Sequence, residues 1–159
     1  MTNGQPTDPR DLEAVTRLVR ACFNRLAAIG TALHADLGVT AAMRAVLETL
    51  IEDGPATVSA IARAKRVSRQ NVQTLANALV ASGAISAEPN PSDRRAPLMT
   101  PTAAGRATFA TMRRREAMAF QELAPDMAGA DLAAARATLE RMRDALDHRL
   151  ARQDDRAAI

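Results

Sequence analysis

Gln70 and Gln73 stand three residues apart in the segment SRQNVQTLANALVASGAISAEPNPSDRR, which runs from Ser68 to Arg95. A glutamine amide offers an acceptor and a donor side by side, the pair needed to read N6 and N7 of adenine in a major groove. Thr74 adds a methyl for a thymine methyl, or a hydroxyl for a phosphate. Arg69, beside Ser68, suits phosphate or guanine. Lys65-Arg66 precedes these residues and Asp93-Arg94-Arg95 follows them. Arg94 suits phosphate, and Asn77 sits too far along to reach bases. A solvated polar helix face would use the same residue types. The placement between two basic turns favours contact with double-stranded DNA.

The charge is unevenly placed. Residues 56–106 carry a net +5, whereas the remainder carries −2. A basic middle between near-neutral flanks fits a polyanion-binding module on a separate scaffold. The three Phe, with no Trp or Tyr, disfavour base stacking and hence single-stranded nucleic acid. Arg113-Arg114-Arg115 spreads over ~200° of a helix and so forms no single patch. It reads as a solvated, ion-paired stretch.

Other chemistries find little support. The two histidines, His34 and His148, have no convergent partners for a metal, and both read as surface residues. There is no phosphate-binding glycine loop and no nucleophile elbow, so neither catalysis nor a cofactor is expected. No apolar run reaches the ~18 residues of a membrane span, and the start MTNGQPTDPRD lacks a signal-peptide pattern. The expected location is the cytoplasm, away from membranes, where a single cysteine, Cys22, fits a reducing compartment.

The elements that must position the amides can be read from spacing. Residues 1–9 read as a disordered tail. Leu12, Val15, Val19, Cys22, Leu26, Ile29 and Leu33 follow 3-4 spacing, a heptad seam on a helix over 10–37. Thr40 caps a helix buried through Met43, Val46, Leu47 and Leu50, which Gly54-Pro55 ends. Thr57 caps a short helix over 58–64. Ser68 caps the amide-rich helix, which buries Val72, Leu75, Ala76 and Leu79 and stops near Gly83. Residues 85–88 and 96–100 are short strands around a Pro-rich turn. Thr102 caps a long helix to about Leu123. A last helix over 131–152 carries a second seam through Leu132, Leu139 and Leu146, and 153–159 forms a C-terminal tail.

Two short helices, a helix ending at glycine and a basic hairpin form winged helix-turn-helix order. Across TVSAIARAKRVSRQNVQTLANALVASGAISAEPNPSDRRAPLMTPTAAG the sequence resembles the MarR family of bacterial transcription regulators. Ala62, Ser68-Arg69, Gly83, Asp93 with Arg95, and Thr102 with Gly105 carry the resemblance. It implies that Arg95 enters a minor groove while Asp93 holds the wing by a salt bridge. A narrow A·T-rich groove attracts such an arginine. The chain departs from the family pattern at Lys65, usually apolar, at Arg66, usually a turn glycine, at Thr74, often arginine, and at Pro101, usually leucine. Both Lys65 and Arg66 add positive charge near the expected backbone contact.

The resulting expectation is a mainly α-helical winged helix-turn-helix protein with a small β-hairpin wing. Residues 38–102 would form the DNA-binding lobe, and 10–37 with 103–152 a helical dimerisation region. As a homodimer on a pseudo-palindrome it would act as a ligand-responsive repressor. The resemblance implies a small, often aromatic or phenolic, effector. Two alternatives remain open: an interaction adaptor using the same fold, and a redox-sensing regulator acting through Cys22. Peroxide-sensing members use a first-helix cysteine, but with activating tyrosines that this chain lacks.

Overall fold

The structure, a computed structural model, describes residues 8–157. The chain forms two compact units, divided after Glu116. The helices are α1 (Pro9–Leu33), α2 (Ala41–Glu52), α3 (Val58–Lys65), α4 (Arg69–Ala81), α5 (Ala103–Leu123) and α6 (Gly129–Ala157). Strands β1 (Ile85–Glu88) and β2 (Leu98–Pro101) lie between α4 and α5. Short 3-10 turns occupy Ala35–Leu37 and Ala124–Asp126. The mainly helical winged-helix fold expected from the pattern is therefore present. Among the described residues no helix is long and apolar enough to cross a membrane.

Helix starts follow local capping chemistry. Thr40, Thr57 and Ser68 each accept the backbone N–H three residues on, from Met43, Ala60 and Asn71. The first helix begins earlier than its apolar seam suggests. Asp8 caps it and Pro9 takes the first turn, where a missing N–H costs nothing. Residues 1–7 of the expected tail lie outside the described residues. The seam helix ends at Leu33, short of the expected Leu37, and the last helix runs to Ala157, past the expected Arg152. Of the expected C-terminal tail, 158–159 lie outside the described residues.

The core of the first unit gathers the predicted stripes. Val46, Leu47, Leu50, Ile61, Val72, Leu79, Ile85 and Met112 are almost fully buried. Each contributes about 1.5–3 kcal/mol relative to an exposed side chain. The strands pair antiparallel, Ile85 opposite Pro101 and Glu88 opposite Leu98. A further bridge joins β2 to the connection before α3: Met99 N–H donates to Ala56 O at 2.9 Å and Ala56 N–H returns to Met99 O at 3.3 Å.

Thr102 fastens α5 to the end of α4. Its hydroxyl donates to Gly83 O at 2.7 Å and accepts from Gly105 N–H at 3.0 Å, while its own N–H reaches Ala84 O at 3.1 Å. Gly105 is buried against that same backbone.

His34 corrects the sequence reading. It is buried, 1% exposed, and not a surface residue. Its Nε2 lies 3.0 Å from Glu116 Oε1, and Nδ1 has no partner among the described residues. Arg44 grips the same carboxylate with Nε and Nη2 at 2.6 and 2.7 Å, reaches Glu48 at 3.0 Å and lies over the Phe109 ring. Next to Glu116, Arg115 binds Asp36 through Nη1 and Nη2, and Nη1 also donates to Leu33 O at 2.7 Å. The end of α1, α2 and the middle of α5 are thus pinned by two arginine–carboxylate forks. His148 is exposed, as read from the sequence.

The seams remain uncovered in the single chain. Leu12, Leu26 and Ile29 on α1 are 53%, 49% and 45% exposed. On α6, Leu132, Leu139 and Leu146 are 52%, 45% and 49% exposed. Cys22 is exposed on the α1 seam.

Candidate nucleic-acid interface

The candidate interface is built on α4. Its buried side, Val72, Ala76 and Leu79, fixes the helix roll. Ser68, Arg69, Gln70, Gln73, Thr74 and Asn77 lie away from that side, and all six are exposed. Arg69, Gln70, Gln73 and Thr74 line one shallow concavity. A second hollow, of about 120 Å³, is lined by Thr57, Ser59, Arg69, Gln73 and Arg95, among others. The structure therefore brings the start of α4 and the wing arginine to one site. Lys65 and Arg66 lie in the turn that enters α4, with Lys65 half-buried and Arg66 exposed.

The outward side chains are already partly ordered. Gln73 Nε2 donates to Asn77 Oδ1 at 2.9 Å. Thr74 donates its hydroxyl to Gln70 O at 3.1 Å, back-bonding onto its own helix. With that hydrogen committed, the methyl is the group Thr74 presents most readily.

The wing turn differs from the contact expected by resemblance. Asp93 makes no salt bridge with Arg95. Its Oδ1 accepts the Arg95 backbone N–H at 2.9 Å, an Asx turn. That contact fixes the backbone and leaves the guanidinium available. Asn90 adds two more ties: Oδ1 accepts Ser92 N–H at 3.0 Å, and Nδ2 donates to Ala96 O at 3.0 Å. Asn90 lies in the Pro-rich turn expected from the sequence, where an Asn side chain can accept the backbone N–H two residues on. Arg94 and Arg95 are both exposed at the tip.

Arg66 adopts the left-handed conformation, φ 52° and ψ 43°. Its N–H reaches Arg63 O at 3.2 Å, and Val67 N–H reaches Ala62 O at 3.0 Å, closing α3 as a Schellman motif. The same motif closes α4, where Gly83 supplies the positive φ, 73°. The turn keeps its regular form, but with a side chain where α4 uses glycine. Arg66→Gly should therefore raise stability by about 0.5–1 kcal/mol, the left-handed penalty less the gain in unfolded-chain entropy. The same change should weaken duplex binding and flatten its salt dependence by roughly one counterion. Thermal denaturation and a salt titration of binding measure the two effects separately.

Among the described residues no group of three or more His, Cys, Asp or Glu side chains is placed to hold a metal.

Comparison with known proteins decides the family. A sequence model of the MarR family matches residues 37–96. The uncharacterised protein Rv2011c of Mycobacterium tuberculosis is 34% identical over 133 residues, covering 82% of this chain and 92% of its own. The chain belongs to the MarR family. Among solved structures, BpsR of Bordetella bronchiseptica, described as regulated in DNA binding by 6-hydroxynicotinic acid, is 26% identical. It superposes with a TM-score of 0.71, over 88% of this chain and 99% of that one. A mutant MarR of Escherichia coli complexed with operator DNA gives a TM-score of 0.73 at 20% identity. That match covers 86% of this chain and 99% of the other. This MarR-family chain is thus a DNA-binding transcriptional regulator built on the winged helix.

Proposed function

We propose that the protein is a ligand-responsive repressor that binds a pseudo-palindromic operator as a homodimer. The observation that carries this reading is the meeting of Arg69, Gln73 and Arg95 around one hollow. A helix set in a major groove there has the wing arginine beside it, directed at the neighbouring minor groove. Gln70 and Gln73 read bases, and the Thr74 methyl meets thymine. Lys65, Arg66, Ser68, Arg69 and Arg94 hold phosphates. Asp93 stiffens the wing. The uncovered seams of α1 and of α6 each supply apolar surface for a second copy. A small molecule would act by shifting the population away from the dimer spacing that fits successive grooves, as the described regulation of BpsR suggests.

The test is binding of the full chain to the DNA upstream of its own gene, in a gel shift across a salt series. Affinity should fall steeply as salt rises, because each neutralised phosphate releases counterions. Arg95→Ala should weaken specific binding at least about tenfold at fixed salt, the loss of one good groove contact. A flat salt response with micromolar or weaker affinity would favour an adaptor binding protein partners instead.

A further inference from the structure

Asn77 lies one turn beyond Gln73 on the outward side of α4. Two turns from the helix start, it is poorly placed to touch bases itself. Its Oδ1 nonetheless accepts the 2.9 Å hydrogen bond from Gln73 Nε2. We propose that Asn77 is a positioning residue that fixes the Gln73 amide and so sets a preference for adenine over guanine at the base Gln73 contacts. The proposal rests on Gln73 being a base reader.

The chemistry follows from donor counting. A glutamine amide has two N–H donors on one nitrogen and one acceptor oxygen. Asn77 engages one donor. One N–H and Oε1 remain, a donor and an acceptor side by side. Adenine presents N7 as acceptor and N6 as donor, and so matches that pair. Guanine presents N7 and O6, both acceptors, and meets the remaining Oε1 with a repulsive lone pair. A Gln73 released from Asn77 can swing its whole NH2 group onto either purine. The tie also orders a long side chain before DNA arrives, which removes part of the rotamer entropy otherwise lost on binding.

The experiment uses the full-length protein and a duplex that the unaltered protein selects from a random-sequence pool. Each adenine in the site is then replaced in turn by guanine, with its complement. Binding is measured for the unaltered protein, Gln73→Ala, Asn77→Ala and Asn77→Asp, with circular dichroism confirming the helix content of each. Gln73→Ala should erase the adenine preference at one position. Asn77→Ala should reduce it there by roughly fivefold, part of one bidentate contact. Asn77→Asp keeps an acceptor oxygen at the same place, so the ratio should return while its negative charge weakens binding to every duplex alike. If Gln73→Ala changes one position and Asn77→Ala leaves that ratio intact, the role of Asn77 is overturned while Gln73 remains a reader. A uniform loss in Asn77→Ala, or no rescue in Asn77→Asp, also overturns it. No position changed by Gln73→Ala overturns the base-reading role and the proposal with it.

Discussion

Gly105→Ala is expected to destabilise the protein by about 3 kcal/mol or more, the penalty of a side chain forced against backbone. A Cβ at this position would lie 2.8 Å from the carbonyl carbon of Ala84 and closer still to its oxygen. Neither partner can yield by a rotamer change, because the obstacle is main chain. The same carbonyl accepts the Thr102 N–H, and Thr102 holds Gly83 and Gly105. Separating α5 from Ala84 would therefore disrupt the helix cap and the exit from α4 together. A fall of roughly 10 °C in thermal midpoint is the expected reading. DNA binding should decline at temperatures where the variant is still folded, because the wing leaves α4 through Ala84. An unchanged midpoint would show that the close approach of α5 is not fixed by this glycine.

The second large effect concerns Glu116. Its carboxylate receives Arg44 in a fork and the His34 Nε2, with its side chain only 17% exposed and that of Arg44 20%. Glu116→Gln leaves a mostly buried guanidinium with Glu48 as its remaining counter-charge, and about 2–3 kcal/mol should be lost at neutral pH. The pH dependence identifies the source. Burial alone would raise the Glu116 pKa, but the hydrogen bonds from Arg44 and His34 outweigh it and hold the carboxyl below its ordinary value of 4.5. Arg44 is shifted oppositely: burial disfavours its charge, and the Glu116 bond more than restores it. A carboxylate with a depressed folded pKa adds stability that is fully present above 4.5 and is lost as pH falls through the lower, folded value. The gap between the two proteins should therefore be widest near neutrality and close on the acid side. Urea unfolding at both ends of that range measures it. A gap that stays constant with pH would assign the loss to packing.

What the sequence revealed and what it hid divide by distance along the chain. Thr40, Thr57, Ser68 and Thr102 were legible as caps because a cap involves residues three apart. The buried stripe Met43, Val46, Leu47 and Leu50 was legible from helical period alone. The exposed face of α4 was legible for the same reason: once Val72, Ala76 and Leu79 face inward, Gln70, Gln73 and Thr74 must face out. His34 was not legible, since Glu116 lies 82 residues away and no local spacing links them. The Arg44–Glu116 fork, 72 residues apart, was hidden likewise. Arg115, read as a solvated, ion-paired residue, does pair with Asp36. The second strand was placed at 96–100 but runs from Leu98 to Pro101, because its pairing register is set by Ile85 and not by its own composition. At the wing, the expected Asp93–Arg95 salt bridge is replaced by a bond from the Arg95 backbone N–H to Asp93, a choice set by local turn geometry that residue types alone do not reveal.

The bridge between Ala56 and Met99 gives the wing a property that a free hairpin lacks. With β1 on one side and Ala56 on the other, β2 has hydrogen bonds along both of its edges. Ala56 also adjoins Thr57, the cap of α3, so the wing is moored to the first helix of the helix-turn-helix pair as well as to the end of the second. If the wing enters a groove as proposed, docking would require little further loss of backbone freedom, because that loss accompanies folding. On the proposed reading, a duplex would meet a reader whose span from helix to wing tip is set in advance, and a groove of the wrong width would be rejected by shape before any base is touched.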